Sequence, residues 1–121
     1  MVHFKKKLGS KRLPARFYRS DSGREPVREW LKNLDAEDRR IIGEDIKDVE
    51  FSGPIGMPLV RSLGKDLWEV RSSLPHGHIA RVLFCVEQEC MVLLHGFMKK
   101  TQKTPKQDID LAHRRRTGAR A

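Results

Sequence analysis

The sequence predicts an α+β domain in the order β-α-α-β-β-β-α, and three observations carry that prediction. Two helix-period patterns follow one another between residues 26 and 49, three strand-like runs crowd into 67–98, and a Thr-Pro pair at 104–105 opens a last helical stretch. At 121 residues the chain has room for a single domain with a modest core.

The first strand is expected in "ARFYRS" (15–20), bounded by Pro14 and by "DSG". In "EPVREWLKNL", Pro26 suits a first helical turn, and Val27, Trp30, Leu31 and Leu34 recur at i, i+3, i+4 and i+7. Asp35 is placed to cap a second helix whose first turn carries Glu37 and Asp38 and whose buried stripe is Ile42, Ile46 and Val49, with Ile41 beside it. "FSGPIGMP" (51–58) stops it, since two glycines and two prolines in eight residues continue no regular element.

"LWEVRS" (67–72), "IARVLFCV" (79–86) and "CMVLLHGFM" (90–98) then read as an antiparallel meander joined by short turns. The second and third runs are apolar on both faces, so either something packs on each side of the sheet or one side lines a pocket. Thr104, Pro105 and Gln107 supply a cap, a first-turn proline and a capping-box partner for a final helix through Ile109 and Ala112 to "HRRR".

With 38% hydrophobic and 34% charged residues the composition is that of a globular protein, and no apolar run approaches the roughly 18 residues that cross a bilayer. Lys5, Lys6 and Lys7 are not followed by an apolar segment, so no secretory signal is read and the expected location is cytoplasmic. Cys85 and Cys90 flank a turn and a disulfide between them is geometrically conceivable, but in that compartment two reduced thiols are expected. The net charge of +9 is uneven: residues 1–20 carry +7, residues 99–121 carry +6, and the stretch between carries −4. An acidic body with two basic ends suits a polyanion such as RNA or DNA, although charge runs at chain ends also serve merely as soluble tails.

Alternation places Trp68 and Val70 on one face of their strand and Glu69 and Arg71 on the other, while Arg81 points away from the apolar face of Ala80, Val82, Phe84 and Val86. If the apolar faces meet the helical hairpin, Arg71 and Arg81 lie together on the opposite side. Two readings stay open. The arginines are structural ion pairs, Arg71 with Glu69 or Glu87 and Arg81 with a helix carboxylate, or they form an anion site in which guanidinium forks match phosphate oxygens. Lys99 and Lys100, at the exit of the last strand, add point charges to the rim of that face. His95 precedes Gly96, where missing volume admits a backbone or a ligand. "HGH" (76–78) reads as a flexible loop and not as a metal site, and no metal or other cofactor is expected.

Taken together, "FYRSDSGREPVREWLKNL", "GMPLVRSLGKDLWEVRSSL", "IARVLFCV" and "LLHGFMKKTQKTPKQDIDLAHRRR" resemble the phage-derived branch of the HigB/RelE toxin superfamily, in the right order and spacing. The resemblance spans residues 15–116, leaving 1–14 as a basic extension and 117–121 as a tail. It implies a RelE-like fold, with two N-terminal helices on one face of a small twisted antiparallel sheet, a basic concave site on the other, and a C-terminal helix. It also implies the toxin of a type II toxin–antitoxin pair, an mRNA interferase acting in the translating ribosome. The partner would be a HigA-like helix-turn-helix antitoxin, bound as a heterotetramer.

Carried onto this chain, Arg81 matches the strand arginine that contacts phosphate in such toxins, Arg71 a basic residue of the preceding strand, and Lys99 and Lys100 the basic position closing the last strand. His95 is the fallback base, because the tyrosine that some relatives carry in the final helix is absent and the only tyrosine is Tyr18. Lys103, Lys106, Arg114, Arg115 and Arg116 would hold RNA rather than act on it. The alternative is a non-catalytic RNA- or ribosome-binding protein derived from such a toxin. A DNA-binding repressor fits less well, because no helix-turn-helix pattern appears.

Overall fold

A computed structural model describes residues 11–54, 59–99 and 102–120, and of 118–120 the backbone alone. Strand β1 is Ala15–Phe17, helix α1 Pro26–Lys32, helix α2 Ala36–Ser52, β2 Val60–Gly64, β3 Leu67–Ser73, β4 Ile79–Glu87, β5 Cys90–Lys99 and helix α3 Lys106–Arg120. The five strands form one sheet in the order β1-β5-β4-β3-β2.

The α+β class and the meander β3-β4-β5 are as expected. Three features differ. The sheet is mixed, because β1 runs parallel to β5, pairing Ala15 with Met91 and Phe17 with Leu93. β1 is also shorter than expected, although the Tyr18 amide still donates to the Leu93 carbonyl at 3.0 Å. Finally, an unanticipated edge strand, β2, pairs antiparallel with β3. Its "VRSLG" lacks clean alternation because it is mostly exposed and carries a register shift between Ser62 and Gly64. The turns after β2 and β4 hold Lys65, Asp66, Gln88 and Glu89 at positive φ, the conformation two-residue hairpins need, yet with no glycine at any of those four positions.

The hairpin α1–α2 covers one face. Val27, Ile42, Ile46 and Val49 pack there against Val70, Ala80, Val82, Phe84, Met91 and Leu93, as the periodicity predicted. Asp35 does sit at the N-cap of α2, but its side chain makes no capping hydrogen bond. Residues 11–14, read as part of a loose extension, are tied down: Leu13 is in the core, the amides of Arg12 and Leu13 donate to the Glu50 carbonyl, and Lys11 pairs with the Glu50 carboxylate at 3.1 Å. Lys5, Lys6 and Lys7 lie outside the described residues.

The opposite face is not an open basic surface. Helix α3 packs across part of it, burying Ala112 with Leu67, Leu83, Cys85, Val92 and Leu94 in a second core. Strands apolar on both faces require such cover. Thr104 does not cap this helix as expected; α3 begins at Lys106 and the Thr104 hydroxyl goes elsewhere, as described below. The helix then continues past 116 through the stretch read as a tail. The cysteines sit in different cross-strand pairs, Cys85 opposite Val92 and Cys90 opposite Glu87, and no bond joins them.

One irregularity in β5 matters most. Leu83 pairs with His95 and Phe84 with Leu93, so Leu94 is an extra residue, a β-bulge. Before it, odd-numbered Met91 and Leu93 face the helical hairpin; after it, even-numbered Gly96 and Met98 do. His95, Phe97 and Lys99 are thereby turned to the α3 face, in line with Leu83, Arg81 and Ile79. The space beside Gly96 is taken by a side chain of this chain and not by a ligand, because three ring atoms of Trp30 lie within 2.9 Å of where a Cβ at 96 would sit. Gly96→Ala is therefore expected to destabilise by about 1–3 kcal/mol through overpacking. An unchanged urea midpoint would refute that packing account.

Candidate functional site

The α3 face carries polar groups in rows across the strands. Arg61 on β2 stands opposite Glu69, which stands opposite Leu83 and then His95; in the next row Arg71 stands opposite Arg81, then Phe97; beyond them Ile79 is opposite Lys99. Two arginines directly opposed repel each other. Glu69, itself fully buried, offsets that repulsion: its Oε1 accepts from Arg71 Nε at 2.7 Å and its Oε2 accepts from the Thr104 hydroxyl. The ion-pair reading is thus correct for Arg71 and Glu69.

Arg81 is completely buried, which for an arginine requires compensation. Burial is the largest influence lowering its pKa from the usual arginine value, repulsion from Arg71 adds to it, and Glu69 opposes it. Arg61 and Asp108 act on it as well, the first against and the second for its charge, so five ionisable groups share one small region.

Gln102 and Lys103, ahead of α3, lie over this pair. Arg81 Nη1 donates to the Lys103 carbonyl at 3.1 Å, Arg71 Nη1 donates to Gln102 Oε1 at 3.0 Å, and Arg71 Nη2 donates to the Gln102 carbonyl. Those acceptors are oxygens held at guanidinium forks. A shallow groove of about 350 Å³ borders these two residues, lined by Arg61, Leu63, Gln102, Lys103, Thr104 and Ile109.

His95, delivered by the bulge, stacks on Phe97 with ring centroids 5.1 Å apart, and its Nε2 lies 2.7 Å from Asp108 Oδ1 on α3. Lys99 ends β5 on the same face, half-buried. Lys100 lies outside the described residues. Of the residues expected to hold RNA, Lys103, Lys106 and Arg114 are exposed, Lys106 pairing with Asp110 at 2.9 Å. Arg115 is drawn inward instead: its Nη1 donates to the Leu94 carbonyl at 2.8 Å and its guanidinium stands 5.8 Å from the Tyr18 ring. Burial, above all, holds its pKa below the ordinary arginine value. Arg116 donates to the Lys65 carbonyl and ties α3 to the β2–β3 turn.

Arg115 therefore secures the bulged residue. Arg115→Met should strand the Leu94 carbonyl and lower stability by about 1–3 kcal/mol, read from urea denaturation; no loss would mean the carbonyl finds another donor.

Neither Arg61 nor Asp108 is given a place in the site by the sequence reading. Reading "GKD" as a hairpin turn would have paired β2 with β3 and put Arg61 opposite Glu69. His76 and His78 are exposed on a turn, and no group of three or more metal-ligating side chains occurs among the described residues. Among those residues, too, no helix is long and apolar enough to cross a membrane.

Fold and site together define a small basic α+β protein with clustered arginines on a partly covered sheet face. Residues 29–117 match the family described as phage derived protein Gp49-like (DUF891), and the chain belongs to that family, a toxin-like family related to RelE- and HigB-type toxins. No curated protein matches the chain.

Proposed function

We propose that the protein is the toxin of a type II toxin–antitoxin pair, an endoribonuclease that cleaves mRNA in the translating ribosome, with a HigA-like helix-turn-helix antitoxin as partner in a heterotetramer. It would act in the cytoplasm. The observation that carries this reading is the Arg71–Arg81 pair, backed by Glu69 and flanked on the same face by His95 and Lys99.

The chemistry suits these side chains and calls for no metal. A ribose 2′-hydroxyl attacks the adjacent phosphorus, the O2′–P bond forms and the P–O5′ bond breaks, leaving a 2′,3′-cyclic phosphate and a 5′-hydroxyl. His95 takes the 2′ proton, Lys99 delivers one to the departing 5′-oxygen, and solvent returns both groups to their starting states. Arg71 and Arg81 stabilise the charge gathering on the phosphate, which takes the place of the Gln102 and Lys103 carbonyls at their forks. Lys100 supplies a further positive charge at the strand exit, and Lys103, Lys106, Arg114 and Arg116 hold the RNA strand.

A second reading, a non-catalytic RNA- or ribosome-binding protein, is favoured by the complete burial of Arg81. Primer extension on a defined mRNA in reconstituted translation separates the two. New 5′ ends with wild type and none with Arg81→Ala support the nuclease; arrest of translation without new ends sinks it in favour of binding.

A further inference from the structure

Resting on that reading, we infer that Asp108 is a positioning residue that fixes the His95 imidazole with its proton on Nε2 and leaves Nδ1 to accept the ribose proton.

The geometry is specific. Only the bulge at Leu94 brings His95 to this face, and Arg115 holds the bulge by taking its carbonyl. The ring is then fixed from two sides, by stacking on Phe97 and by the 2.7 Å contact to Asp108. A carboxylate is an acceptor only, so the nitrogen it touches carries the hydrogen, and in a neutral imidazole the other nitrogen is then the base. Among the described residues Asp108 is the sole hydrogen-bond partner of the His95 side chain.

Asp108 is unusually committed to this contact. Its second oxygen, Oδ2, is buried and has no hydrogen-bond partner among the described residues. It is also near enough to Arg81 to favour the charge of that arginine, so one carboxylate joins the base to the phosphate-binding pair. Across the sheet, Phe97 is the direct neighbour of Arg81 and His95 lies one row away, a separation of about 7–8 Å between diagonal neighbours. A phosphate at Arg81 thus brings its flanking ribose to the imidazole. A purely structural tie between β5 and α3 would need none of this alignment.

The test compares wild type, Asp108→Asn and Asp108→Glu in reconstituted translation with a defined mRNA. Single-turnover cleavage rate and half-saturating protein concentration are measured for each, and the His95 tautomer is read by long-range ¹H–¹⁵N NMR of the free protein. Asp108→Asn is expected to slow cleavage about 100-fold, within the range for a positioned base, with the half-saturating concentration unchanged. Asp108→Glu should recover most of the rate, and wild-type His95 should show its proton on Nε2 while Asp108→Asn does not. Cleavage by Asp108→Asn at the wild-type rate overturns the inference, as does equal slowing by both variants or a wild-type proton on Nδ1. Should wild type fail to cleave, the nuclease reading falls, and the tautomer measurement still decides whether Asp108 sets the ring.

Discussion

Replacing Glu69 by alanine is expected to lower the unfolding free energy by about 3–5 kcal/mol, the range for breaking a buried ion pair from one side. Few residues here are so committed: the carboxylate is fully buried, accepts from Arg71 and Thr104, and moderates the repulsion between Arg71 and Arg81. Its removal leaves two opposed guanidinium groups with Arg61 beside them, and the Thr104 hydroxyl without an acceptor. Urea denaturation measures the loss. A change below about 1 kcal/mol would mean that solvent already screens the arginines and that the pairing is incidental. Glu69→Gln separates charge from shape, since it can still accept from Thr104 and should lose nearly as much.

Arg81→Ala should cut the cleavage rate about 10²–10³-fold, the usual loss when one pre-set donor to a developing negative charge is removed. Arg81→Lys should recover little of it, because an ammonium is a point charge and cannot reproduce the fork. Arg71→Ala should cost less, its side chain being partly exposed and held at the margin by Gln102. The two losses should not multiply, as both groups share Glu69 and the segment above them. Cleavage rates fitted from primer extension decide the matter, and an Arg81→Ala protein that cuts at half the wild-type rate would remove the arginine pair from the mechanism.

Much of the architecture was legible in the sequence, for physical reasons that differ by element. The stripe Ile42, Ile46, Val49 announces α2 because one helix face must be apolar when the other meets water, and alternation around Arg71 and Arg81 gave their common face because the period of a strand is two. β2 was not legible. An exposed edge strand buries too little to impose alternation, and its turn uses Lys65 and Asp66 where glycine or asparagine would have been a signal. The direction of β1 escaped for a related reason, since three residues cannot say which neighbour they join or which way they run.

At the site, the arginines were visible and their cover was not. That Gln102 and Lys103 would place carbonyls at the guanidinium forks depends on how a loop crosses the sheet, which no local pattern encodes. Thr104 looked like a helix cap because its spacing to Pro105 and Gln107 fits one. A buried carboxylate on β3, two strands away from β5, competed for the hydroxyl and won it.

Strict alternation along β5 would misplace one end of the strand relative to the other, and the cause is Leu94. Up to that residue the strand presents Met91 and Leu93 to the helical hairpin; beyond it the same parity presents His95, Phe97 and Lys99 to the arginines. The chemical content of this strand is therefore set by where its ladder breaks as well as by its letters. The same residues in a ladder without the bulge, with Leu94 paired in its turn, would set Gly96 against the arginines and turn the imidazole toward Trp30. In this protein the break in the ladder between "MVLL" and "HGF" is itself part of how the candidate site is arranged, and a comparison of relatives by residue identity alone would miss it.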